Sequence, residues 1–123
     1  MTSDDLRSIV ERALAAWRPP VVEPGTTIGT PWTPERYRAE IERLRRALVK
    51  PYEQRFALEE THDPERARAG GEATYWVVAA TGKMYLWYDE ASAQFGVGEP
   101  GREDALPVSL GLRGDIVGSF CAW

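Results

Sequence analysis

The sequence predicts an α+β fold in which two N-terminal amphipathic helices pack on a sheet of about four to five mainly antiparallel strands. The helical part is expected at about 1–50 and the sheet part at about 51–123. Three observations carry this expectation. Apolar residues recur at helical spacing in two stretches before Pro51, and short alternating or continuously apolar runs follow it. The order, helices first and strands after, is that of α+β domains rather than of alternating βαβ units. A length of 123 residues fits a single domain, residues 1–123, with one core.

Thr2-Ser3-Asp4-Asp5 offers a hydroxyl cap with an acid three residues on, and Leu6, Ile9, Val10, Ala13, Leu14 and Trp17 then share one face. A first helix is expected over about 3–17, stopped by Pro19 and Pro20. The connection that follows carries Val21, Val22, Ile28 and Trp32 and is expected to be pinned on the core. Thr33-Pro34 starts a second helix with proline at its first position, and Tyr37, Ile41, Leu44 and Leu48 form its apolar stripe to about residue 49. Beside the stripe Arg36, Arg43, Arg46 and Lys50 line up as a basic ridge, the pattern of a solvated face.

Pro51 ends that helix because the residue before a proline is pushed out of the α region. Tyr52, Gln54, Phe56 and Leu58 then alternate with Glu53, Arg55, Ala57 and Glu59 as a half-buried strand. Residues 61–72 read as a charged connection, in which Asp63-Pro64-Glu65-Arg66 offers a cap for one helical turn.

Residues 74–97 read as strands around a glycine turn, apolar on both faces. Threonine tolerates positive φ poorly, so a three-residue Ala80-Thr81-Gly82 loop with a left-handed glycine is expected, placing Ala79 opposite Lys83. In that register Trp76, Val78, Met84, Leu86 and Tyr88 share the expected core face, and Tyr75, Val77, Tyr85, Trp87 and Asp89 share the other. A short strand at about 94–98, a strand over Val108 to Leu112, a turn at Arg113-Gly114-Asp115 and a final strand from Ile116 to Trp123 complete the sheet. The ending Phe120-Cys121-Ala122-Trp123 is too apolar to fray and is expected to be docked.

Charge is uneven. Residues 1–50 hold nine Lys/Arg and seven Asp/Glu, whereas residues 51–123 hold six and twelve. Phosphate backbones are bound by neutralising them, so the acidic strand-rich half argues against a nucleic-acid ligand there and suits a basic protein. Thirteen Arg against two Lys with no Asn reads as the coding bias of a GC-rich genome, so arginine counts carry no functional weight. One cysteine cannot form an internal disulfide, Asp4, Asp5, Arg7, Glu11 and Arg12 interrupt any leader-like run, and no stretch is long and apolar enough for a membrane helix. The expectation is a soluble cytoplasmic protein without membrane contact.

Motifs with chemical meaning fail in context. Gly96-Val97-Gly98-Glu99-Pro100-Gly101 spells the dinucleotide pattern, but Pro100 and the turn-like sequence after it deny the helix whose N-terminus would face a pyrophosphate, so a loop is expected. His62, the single histidine, has neither a second histidine nor a suitable cysteine to share a metal, and reads as a solvated loop residue. Cys121 reads as a small core residue rather than a nucleophile. Glu59-Glu60 and Asp89-Glu90 are adjacent acids that point to opposite faces of a strand and make no acid/base pair. No catalytic residue, metal site or cofactor is expected.

The surplus aromatic face therefore carries the functional expectation. Tyr75, Tyr85 and Trp87, with Asp89, are the expected partner-binding residues of a non-enzymatic module of the small bacterial antitoxin or immunity type. The partner is a basic protein, or a second copy of the chain if the face pairs with itself. A different class of function is open beside it: an isomerase-like, cone-shaped α+β domain whose sheet curls around a small apolar ligand, with Asp89 or His62 as the polar group.

Overall fold

The computed structural model describes residues 1–19, 32–58, 71–101 and 105–122. The expected placement of Val21, Val22 and Ile28, the helical turn near Asp63, His62, Glu59-Glu60 and Trp123 lie outside these residues.

The chain is α+β, with two N-terminal helices against a mainly antiparallel sheet. The elements in order are α1 (Ser3–Ala16), α2 (Pro34–Ala47), β1 (Leu48–Leu58), β2 (Glu72–Ala80), β3 (Tyr85–Asp89), β4 (Gln94–Glu99), β5 (Val108–Gly114) and α3 (Ile116–Cys121). Local chemistry starts each helix. The Thr2 hydroxyl accepts from the Asp5 backbone N–H while the Asp5 carboxylate accepts from that of Thr2, a complete capping box. The Thr33 hydroxyl accepts from the Arg36 N–H, with Pro34 in the first turn of α2.

The strands follow one another round the sheet, β1-β2-β3-β4-β5, and β5 returns to β1 to close a barrel. Four of the five pairings are antiparallel; the closing one is parallel, through Ala57↔Val108 and Leu58↔Ser109. Closure explains the two apolar faces of the central hairpin. Its outward residues Val78, Leu86 and Tyr88, with Phe95 and Val97 of β4, pack under Leu6, Val10 and Leu14 of α1, Leu44 of α2 and Ile116, Val117 and Phe120 of α3. Its inward residues Tyr75, Val77 and Trp87 fill the barrel with Phe56 and Leu58 of β1. The glycines of β4 make that filling possible. Gly96 pairs with Trp87 and Gly98 with Tyr85, and a Cβ on Gly98 would stand 2.8 Å from the Val108 carbonyl oxygen and 2.9 Å from the Phe56 ring. The Gly-Val-Gly stretch is thus strand, not loop, and its small residues face the aromatic ones.

Three further expectations are corrected. The last run is not a strand: Asp115 caps α3 by accepting from the Gly118 N–H, and Ile116, Val117 and Phe120 are buried at helical spacing. Pro51 does not separate helix from strand; β1 begins three residues before it, and an irregular register between Leu48 and Tyr52 accommodates it. The hairpin pairs Ala80 with Tyr85, not Ala79 with Lys83, because the Thr81 hydroxyl accepts from the Lys83 and Met84 backbones and organises a wider turn. An irregularity between Val77 and Ala79 absorbs the odd residue, so the two face sets survive the change of register.

Candidate functional site

The barrel interior is an aromatic stack closed by an ion pair. Trp87 lies parallel to Tyr75, with centroids 4.1 Å apart and planes 16° apart, and Phe56 leans on Tyr75 at 5.8 Å and meets Tyr85 edge-on at 6.0 Å. Arg113, from β5, donates to the Tyr75 hydroxyl at 2.8 Å and to the Asp89 carboxylate at 3.0 Å, with its guanidinium 5.0 Å from the Trp87 ring. The Asp89 carboxylate also accepts from the Ala91 N–H and the Ser92 hydroxyl, which fixes the turn between β3 and β4.

The four residues expected to bind a partner are therefore brought together, but on the inner wall of the barrel. Trp87 is 0% and Tyr75 4% exposed, Tyr85 is half-buried, and Asp89 is committed to Arg113 and its own turn. Tyr75 and Trp87 as they stand present no outer face to a protein, because the sheet rolls around them instead of laying them flat. Among the described residues, Phe56, Leu58, Tyr75, Val77 and Trp87 pack together in the barrel interior.

An outer concavity of about 440 Å³ lies beside the same elements, lined by Glu53 of β1, Thr74 and Trp76 of β2, and Asp89, Glu90 and Ala91 at the β3–β4 turn. Glu53 stands opposite Trp76 in the β1–β2 register, and Tyr88 stands opposite it on β3. The Trp76 indole N–H donates to the Glu90 carboxylate, which holds the half-buried ring at the groove wall. Two arginines of the described strands are engaged elsewhere: Arg113 with Asp89, and Arg55 with Glu72 at 3.4 Å. An aromatic ring flanked by carboxylates is the arrangement that accepts a guanidinium or ammonium group, by charge and by the ring's negative face.

Sequence reasoning missed Trp76, Glu53 and Glu90 as a group. Trp76 lies on the expected core face by strand parity, but the helices do not reach it fully. Its signal is the β1–β2 pairing, which sets Glu53 across from Trp76 and is invisible without the register. The basic ridge is divided: Arg43 pairs with Glu40 at 2.8 Å, Arg46 approaches Glu42 at 3.6 Å, Arg36 lies over Trp32, and Lys50 is exposed on β1.

Comparison of the chain with protein-family models, with curated proteins and with solved structures finds no match in any of the three. Among the described residues no group of three or more His, Cys, Asp and Glu is arranged to hold a metal, and no helix is long and apolar enough to cross a membrane.

Proposed function

We propose that this chain is a non-enzymatic protein-binding module whose acidic outer groove receives a basic side chain of its partner. The observation that carries the reading is the placement of Glu53 and Glu90 on either side of Trp76, with Asp89 behind them, in a concavity of about 440 Å³. The acidic balance of residues 51–123 extends the same field beyond the groove, which speeds encounter with a basic partner. Such a module would be of the small antitoxin or immunity type, by analogy of class.

The test is native mass spectrometry of the protein isolated gently from its own cells, as wild type, as the double reversal Glu53→Arg/Glu90→Arg, and as Glu35→Arg on the exposed start of α2. The expected result is a stoichiometric basic protein, retained by Glu35→Arg and lost from the double reversal while the far-UV spectrum is unchanged. A complex that survives the double reversal, or a protein recovered only as monomer or homodimer, overturns the reading.

A further inference from the structure

A second concavity, of about 370 Å³, shares no residue with the acidic groove and lies where the end of α1, the start of α2 and the helix α3 meet. One wall is three aromatic rings, with Tyr37 in contact with both Trp17 and Trp32. Trp17 and Tyr37 lie 5.3 Å apart at 53°, and Trp32 and Tyr37 5.3 Å apart at 49°, so the rings form a concave surface rather than a flat stack. Val117 and Cys121 of α3 also line it, together with Arg18 and Asp115. Trp17, Trp32 and Tyr37 are each only partly buried, unlike Trp87.

The charges decide what suits this wall. The described lining carries one charge of each sign, Arg18 and Asp115, and the Arg36 guanidinium already covers the Trp32 ring 3.8 Å from its centroid, so a further cation would meet Arg18 and find that ring face taken. Asp115 stands against an anion. A neutral ring meets neither objection and packs edge or offset against the three it finds. We propose that this cleft binds a small uncharged aromatic molecule of about one to two rings, a size in keeping with the lower end of ligand pockets, roughly 300 Å³. Burial raises the Cys121 thiol's pKa above its ordinary value, with Glu40 adding to the effect, which agrees with an apolar wall at that point. This inference does not depend on the groove or its partner.

Indole is the probe, added to ¹⁵N-labelled full-length protein while the side-chain indole N–H signals are followed by NMR. The expected result is a saturable shift of the Trp17 and Trp32 signals, with Trp76 and Trp87 unmoved. Affinity should fall about tenfold or more in Trp17→Ala. Ala122→Arg, at an exposed position lining the cleft, should do the same by filling the space, and it decides the matter if Trp17→Ala does not fold. Three results overturn the proposal: no saturable shift up to the solubility of indole, unchanged affinity in folded Ala122→Arg, or tighter binding of tetramethylammonium or benzoate than of indole.

Discussion

Replacing Trp87 by phenylalanine tests the barrel interior at a buried polar atom that has no hydrogen-bond partner among the described residues. The Trp87 side chain is fully buried, and its Nε1 has no hydrogen-bond acceptor among the described residues. Trimming indole to phenyl removes two apolar carbons, about 1.6 kcal/mol at ~0.8 kcal/mol per buried methylene. The space left behind adds about 1 kcal/mol where the surroundings relax only in part. Against this, removing a buried donor that has no acceptor returns about 1–3 kcal/mol of desolvation. Trp87→Phe should therefore change stability by no more than about 1.5 kcal/mol. Trp87→Ala loses the whole stack on Tyr75 and should cost about 3–5 kcal/mol. Urea denaturation followed by far-UV circular dichroism measures both, and the comparison holds if the slope is common to the variants. A loss above about 3 kcal/mol for Trp87→Phe would show that the indole N–H has an acceptor after all, and would refute the reasoning.

Other expectations concern single positions. Gly98→Ala should destabilise by about 1–3 kcal/mol, read as a lower melting temperature, because its Cβ meets the Val108 backbone and the Phe56 ring at 2.8 and 2.9 Å. The Asp5 carboxyl is held below its ordinary 3.8 by the Thr2 backbone N–H first and the Thr2 hydroxyl second. The capping box's contribution is thus present above the unfolded carboxyl's pKa and lost as pH falls through the lower folded one, and an NMR titration should place the Asp5 midpoint below 3.8 and move it upward in Thr2→Val. Alkylation of Cys121 by iodoacetamide should follow a pH profile displaced above that of a free cysteine peptide, since burial disfavours the thiolate; a coincident profile would contradict the half-buried site.

What was legible in the sequence follows how local each signal is. The capping box at Thr2 and the spacing from Leu6 to Trp17 lie within one helix, and they define α1 to within a residue of its observed end. Strand parity is also local, so the division of the hairpin into Trp76, Val78, Leu86, Tyr88 and Tyr75, Val77, Tyr85, Trp87 survived a changed register. Parity says which side chains share a face, however, and not whether that face is outside or rolled inward. That depends on Gly96 and Gly98 standing opposite Trp87 and Tyr85, a pairing no periodicity announces. The run Ile116 to Cys121 has a strand-like composition, and the hydrogen bond from the Gly118 N–H to Asp115 overrides it. The acidic groove draws on β1, β2 and the β3–β4 turn, so it exists only once those pairings are formed.

The closing pair of the barrel has a consequence for how the molecule comes together and apart. β2, β3 and β4 follow one another through tight turns, whereas Ala57 and Val108 meet across about 50 residues of intervening chain. Loop-closure entropy rises with that separation, and non-local pairings are the slow step of folding. The meander can assemble from neighbours, and the β1–β5 contact is expected to act as a clasp that fastens last and releases first. Its two register pairs, backed by the Ala57 N–H donating to Pro107, are where exchange of backbone protons should begin while the aromatic stack inside is still intact.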